Sequence, residues 1–446
     1  MDLPRRKRPS GSNLDYRLIH KLEKLSPSNI RLGKTLPERK ALSDKRRKFS
    51  SLLTEATFYF GDVTINLSRW LVFLLLSRTL TVVAADVKQA RFEMQARYLG
   101  SASCSSSSCH GGAGEQHNQF LVWSQRDFHT KAFLILTTAR STQIAQSLGI
   151  ENASTSERCT VCHSPMAEMA PARLIRPEQR DEGVACESCH GPAEGWLRSH
   201  TRKDYTYAMR VSSGLRDLRN IYVRANACVA CHELTDREIA NAGHPPLFFE
   251  LTRQMNLEPP HWRTLSELPA RTWLCGQATA LRELSWKTTP RNAQGSDDQV
   301  AAQRAALAWL LGKATTVDQA LPQISEDADT GTMQRIADEL ARRVASRDLN
   351  NSYASKLMQL LAKSGNDFTN VSPGSDDALF YRAKRLVLAF QALISEEDAS
   401  LYYSPELPNL NTDVISVSGF DTNRFVGDLE SMRLKVEGRR PQQDSQ

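Results

Sequence analysis

Four times between residues 104 and 232 a pair of cysteines is followed at once by a histidine. Three copies read C-x-x-C-H: Cys159-Thr-Val-Cys162-His163, Cys186-Glu-Ser-Cys189-His190 and Cys228-Val-Ala-Cys231-His232. The first copy is longer, Cys104-Ser-Ser-Ser-Ser-Cys109-His110, a C-x4-C-H. Two nearby thiols with an imidazole beside the second form the attachment unit of a c-type haem. Both thiols add to the vinyl groups of one porphyrin, and the histidine falls under the iron as proximal ligand. The four units use eight of the nine cysteines. The sequence therefore predicts four covalently attached haems.

Two rival readings of the same cysteines are weaker. Paired CxxC motifs also build tetrahedral zinc sites, but a four-cysteine site gives no role to a histidine after each second cysteine. Redox disulfides across C-x-x-C belong to βαβ patterns, and no such pattern is visible. Cys275 is the odd cysteine. It sits in an apolar helix-like run with Trp273, Leu274, Ala278 and Leu281, which favours a buried free thiol.

At 446 residues the chain has room for two or three domains. Its net charge of +7 misleads when taken whole. Residues 1–50 hold 15 Lys and Arg against 5 Asp and Glu, whereas residues 86–446 carry a net −3. The basic character belongs to the front of the chain, and the body gives no support to a nucleic-acid partner. Residues 1–60 read as a basic disordered extension. Within residues 61–85 an apolar run follows Arg69, from Trp70 to Leu76 and again from Leu80 to Ala85, with Val83-Ala84-Ala85 before Asp86. It is short and interrupted for a membrane span and fits a secretory signal. Covalent haem attachment outside the bacterial cytoplasm calls for export. No Met lies between Met1 and Met94, so an over-long start accounts for the position of the signal. The competing reading keeps a cytoplasmic tail and an uncleaved anchor, with membrane association. Arg46-Arg47-Lys48-Phe49 resembles a twin-arginine signal, but the apolar run lies too far downstream.

The fold class expected is mostly α. Residues 95–262 form a haem-rich multihaem cytochrome c domain with little β-structure, because alternating runs are absent and Gly, Pro and Ser punctuate short helical stretches. One amphipathic helix is expected from His129 through Ile144 and Leu148, ending at Gly149. Gly191-Pro192 predicts a turn, then a short helix through Trp196 and Leu197 to His200. Asn241-Ala-Gly243-His244-Pro245-Pro246 places a histidine in an extended loop. Residues 263–436 form an α-helical domain without histidine. Helices are expected over 270–286, 298–313, 332–346 with Thr332 as cap, 352–364, and 375–395 with Ser375 as cap. This region reads as a structural bundle or partner-docking surface. Residues 437–446 read as a polar disordered tail.

The block Gly183-Val-Ala-Cys-Glu-Ser-Cys-His-Gly-Pro-Ala-Glu-Gly-Trp-Leu-Arg-Ser-His200 resembles the cytochrome c-554 family of multihaem cytochromes. So do Trp123-Ser-Gln-Arg-Asp-Phe-His129-Thr-Lys-Ala and Ala242-Gly-His244-Pro with Phe248-Phe-Glu-Leu251. The resemblance covers about residues 97–262, and the four residues between Cys104 and Cys109 depart from the family pattern. It implies a mostly helical, haem-rich domain with closely stacked haem pairs. The activity implied is electron transfer between a donor oxidoreductase and a downstream acceptor, both redox proteins. It also implies that His200 faces the iron of His110, His244 that of His190, and His129 that of His232. In the family the haem corresponding to that of His163 lacks a distal protein ligand.

Ten histidines are present, and none follows His261. His20 precedes the signal. His117 and His261 remain as candidates for the second face of the His163 iron. Met166 and Met169 are weaker ones, although a thioether would raise that haem's potential. The outcome decides function. Irons capped on both faces make an exported electron carrier, which is the favoured reading over an enzyme. One open iron makes a haem enzyme acting on nitric oxide, nitrite or hydroxylamine.

Overall fold

Met333, Ala337, Leu340, Ala341 and Val344 recur at helical spacing, and each is fully buried. That stripe is one face of a helix turned to a core, and the same logic builds most of the second half of the chain. The computed structural model describes residues 95–233, 236–261, 268–288, 298–349, 351–369, 376–394, 398 and 402–438. The expected basic extension and export signal, Ser375 and the residues beyond 438 lie outside the described residues. The fold is mostly helical, as the sequence implies. Among the described residues the β-structure is one isolated bridge between Tyr98 and Leu174.

In chain order the helices used below are α1 (Gln119–Arg126), α2 (Ala139–Ser147), α3 (Glu157–His163), α4 (Cys186–His190), α5 (Ile221–His232), α6 (Arg237–Asn241) and α7 (Leu251–Leu257). They are followed by α8 (Pro269–Lys287), α9 (Asp298–Thr316), α10 (Thr330–Ala345), α11 (Asn351–Ala362), α12 (Asp376–Leu393), α13 (Glu406–Asp413) and α14 (Thr422–Gly438). The chain forms two compact units. The larger holds residues 97–194 and those from 215 onward; the smaller holds 195–214 with 95 and 96.

In the larger unit α8 is the central element. Pro269 starts it at the first helical position, where a missing N–H costs nothing. From Ala270 to Ser285 it is buried on nearly every face. It packs on α5, α7, α9, α10 and α12. Gly276 allows the contact with α7, because a Cβ there would meet the Leu251 Cβ at 2.8 Å. One hydrophobic core runs from Ile221, Ala225 and Val229 of α5 through Phe249 and Leu251 to Val436 of α14. Arg282 of α8 ties the layers with polar bonds, to Asp338 of α10 at 2.9 Å and Asn226 of α5 at 2.5 Å.

Two sequence expectations change in detail. The helix starting near Thr332 begins at Thr330, because Asp329 caps it by accepting from the N–H groups of Gly331 and Thr332 at 3.0 Å. The helix from His129 to Leu148 is broken. A 3-10 turn (Phe128–Lys131) and a short helix (Ala132–Ile135) precede α2. The Thr137 and Thr138 hydroxyls each donate at 2.8 Å, to the Leu134 and Ile135 carbonyls, and Thr138 also caps α2 through Ser141 N–H. Hydroxyl side chains of this kind compete with helix continuation. The end at Gly149 stands. Its φ is +65°, and the Ile150 and Gly149 N–H groups close back on Ala145 and Gln146, a Schellman ending.

In the smaller unit, Thr206 caps a short helix, Tyr207–Ser212. His200 N–H bonds the Trp196 carbonyl at 2.9 Å.

Candidate functional site

The three C-x-x-C-H units each occupy the end of a helix: α3, α4 and α5. A single turn sets both thiols and the imidazole on neighbouring positions of one surface. The longer first unit is instead a loop, closed by His110 N–H on the Cys104 carbonyl at 3.2 Å. None of the nine cysteines is joined to another by a disulfide.

The units gather in pairs. The thiols of Cys104 and Cys186 are hydrogen-bonded, which sets the first unit against the third. Those of Cys162 and Cys231 are hydrogen-bonded, which sets the second against the fourth. Cys189 lies close enough to Cys228 to raise its charging cost, joining third to fourth. Desolvation pushes Cys189 up to about 12. The fourth unit is thus the neighbour of both the second and the third.

Three pairs of imidazoles face one another. His129 and His232 have ring centroids 6.0 Å apart, His163 and His244 6.3 Å, and His190 and His261 6.5 Å. Each pair is nearly perpendicular, at 82°, 75° and 73°. Two imidazoles bonded at about 2 Å to opposite faces of one metal ion hold their centroids about 6 Å apart. The residues present therefore fit an iron between them in three places. His129 lies against His232. His244 lies against His163, where the family resemblance implied His190, and His261 takes the place opposite His190. The reason is local. His244 N–H closes α6 by bonding the Ile239 carbonyl at 3.2 Å, and Arg140 of α2 holds the Gly243 carbonyl at 2.9 Å, which brings the loop to the second unit.

His163, His244, His110 and His261 each commit one ring nitrogen. Nδ1 of His163 is bonded to the Ala132 carbonyl at 3.0 Å, and that of His244 to the Pro245 carbonyl at 2.9 Å. Nδ1 of His110 meets Gln119 Oε1 at 2.8 Å, and that of His261 meets the Pro259 carbonyl at 3.4 Å. With the proton on Nδ1, Nε2 carries the lone pair a metal takes. Desolvation pushes His190 and His232 down to about 4 and lowers His163 and His261, so all four are neutral near pH 7. His129 differs. Its hydrogen bond to Asp127 raises its pKa, and Asp127 Oδ1 also accepts its backbone N–H at 2.9 Å. Burial works against the Asp127 charge, but the bonds from His129 hold its carboxyl below the ordinary value.

His117 is exposed, with Nδ1 on the Cys109 carbonyl at 2.8 Å, and no facing ring is found for it among the described residues. In the smaller unit His200 packs edge-on against Trp196, with Nδ1 on the Leu197 carbonyl at 2.5 Å. Met166 and Met169 are core residues. Among the described residues the convergent set of metal-ligating side chains is Asp127, His129 and Glu258. It contains no cysteine, so the zinc alternative has no gathered four-cysteine site there.

Sequence reasoning missed the groups that hold this arrangement. Asp127 stands two residues before His129, a spacing that signals an Asx turn. Glu187 lies inside the third unit and is buried. Its carboxylate accepts from Leu99 N–H at 2.9 Å, Gly100 N–H at 2.7 Å and Ala193 N–H at 2.6 Å. Gly183 admits the chain beside His129. Its φ is +72°, and a Cβ there would lie 2.7 Å from the His129 carbonyl oxygen.

Helices ending in Cys-Cys-His units, with neutral imidazoles facing one another across an iron-sized gap, define a c-type cytochrome. The model of the family described as cytochrome c554 and c-prime matches residues 89–191, which take in the first three units. Over that stretch the chain is similar to this family, and the match supports covalently bound haem, electron transfer and redox protein partners. A search of curated proteins and one of solved structures find no match.

Proposed function

We propose that the protein is an exported tetrahaem electron carrier, with residues 95–262 as its haem-binding domain and 263–436 as its helical support. The fourth unit lies outside the matched stretch, and its identical C-x-x-C-H spacing supports the count of four. Residues 61–85 act as export signal or retained anchor. Among the described residues no helix is long and apolar enough to cross a membrane. The observation that carries the reading is the set of three facing imidazole pairs. Haem, once attached, supplies the one-electron exchange of its iron. His232 and His129, His163 and His244, and His190 and His261 would hold its iron, and the carbonyls bonded to Nδ1 of His163, His244 and His261, with Asp127 at His129, would keep Nε2 turned to the metal. His110 would hold the iron of the first haem.

An iron held on both faces has no position for substrate, which suits a relay. The enzyme alternative requires the His163 iron to be open, and the His244 ring 6.3 Å from His163 argues against it. Haem content and electron paramagnetic resonance on the mature oxidised protein test the reading. Four haems per chain with low-spin signals alone are expected. A high-spin signal that responds to nitric oxide would transfer the assignment to an enzyme.

A further inference from the structure

Directly after the fourth unit stands Glu233, buried inside the helical core. Its carboxylate receives both bonds of a forked contact from Arg385 Nη2, at 2.8 and 3.1 Å. The side chains of both partners are 0% exposed. The Glu233 backbone carbonyl accepts from Lys287 Nζ at 2.8 Å, and Phe249 N–H donates to Oε2 at 3.3 Å. Arg385 does not stop there. Its Nη1 donates to the Phe249 carbonyl at 3.0 Å, which Gln277 of α8 also bonds at 3.1 Å. Burying such a pair is expensive, and apolar side chains of equal volume often stabilise a core as well. Stability alone therefore does not account for it.

Position does. Glu233 is the neighbour of His232, and Phe249 is five residues from His244. One guanidinium from α12 thus joins the ends of two segments, and each segment brings an imidazole to a different facing pair. The charges also reach the haem-binding units. Two cations, Arg385 and Lys287, act on the Glu233 carboxylate beside the fourth unit, and Lys287 acts electrostatically on Cys162 of the second while Glu283 and Asp236 also face it. In a poorly solvated interior such charges are weakly screened. Each cation there favours the reduced, less positive iron, and each carboxylate the oxidised one.

We propose that Arg385 is a positioning residue for the fourth unit, fixing His232 through Glu233 and the His244 loop through Phe249, and that with Lys287 it raises the potential of the iron held by His232. The inference rests on the reading of His232 as an axial ligand. The helical region is then part of the redox site rather than an appended bundle.

The test is a potentiometric titration of the fully loaded protein, followed optically and by paramagnetic resonance. Glu233→Gln keeps the shape and removes the one carboxylate shared by both cations; one haem potential should rise while the others stay. Arg385→Met leaves the carboxylate facing Lys287 alone; the same haem should fall, and its low-spin signal should broaden as His232 loosens. Opposite shifts in one haem are the expected result. Variants that load every haem, melt lower and move no potential would reduce the pair to a structural staple and overturn the proposal. If Arg385→Met does not mature, the decision falls to Glu233→Gln together with Lys287→Met, which should lower the same potential. Wild-type haem content and spectra are recorded first. A missing bis-histidine signal at His232 would remove the underlying reading, whereas a full signal with immovable potentials would remove only this inference.

Discussion

Residues 97–194 and residues 269–438 are both mostly helical, yet they are held together by different means. In the second region the helices share a core of fully buried side chains, among them Trp273, Phe368, Phe390 and Phe425. In the first, the hydrophobic cluster of its own comprises Leu136, Ala145 and Ala153, with Phe133, Ile150 and Cys159 against it. Phe128 and Leu134 stand 75% and 60% exposed. Apolar burial is the dominant favourable term in folding, and one region has far less of it among its own side chains. What takes its place is a network of backbone ties to carboxylates and carbonyls arranged around the cysteines. The comparison teaches that the first region leans on its cofactor for a core, whereas the second takes part in a core made of side chains.

The largest effect should come from withholding haem. Protein made in a host without haem attachment should be cut by protease within 97–194 and spared within 269–438. Equal resistance in both would break the comparison. A smaller effect follows from removing one imidazole. His129→Ala should load haem yet turn one low-spin signal high-spin, leaving the rest; an unchanged spectrum would mean that His129 faces no iron. Asp127→Asn keeps the ring and loses the charge that orients it, and should let added imidazole or cyanide replace His129 on that iron about 10–100-fold more readily. In the second region, Leu340→Ala should cost about 2–5 kcal/mol by thermal unfolding, the usual penalty for an emptied core site. A cost near zero would mean that this core is loose. Smallest of all, Arg343→Ala breaks an exposed pair with Glu339 and should change stability by less than about 0.5 kcal/mol.

What could be read from the sequence follows from distance along the chain. The four Cys-Cys-His units were legible because attachment chemistry fixes their spacing within a few residues. The helices of the second half were legible because burial imposes a helical period, and α8, α9 and α11 lie within a few residues of where the pattern put them. The facing partners were not. Nothing between Cys186 and His190 says that His261 lies opposite rather than His244, since that choice is made by how the His244 loop meets α2. The break at Thr137 and Thr138 was hidden because the apolar period runs through it, while two hydroxyls decide the backbone. Arg385 and Glu233 are 152 residues apart, and each alone looks like an ordinary surface charge.

The carboxylate of Glu187 bears on time as well as on place. It grips the N–H groups of Leu99 and Gly100 from 88 and 87 residues away. Closing so long a loop comes late among folding events. A chain exported N-terminus first would present its first pair of cysteines well before the residue that fastens their approach has crossed. That interval would leave Cys104 and Cys109 open to an attachment machinery while the chain around them is still loose.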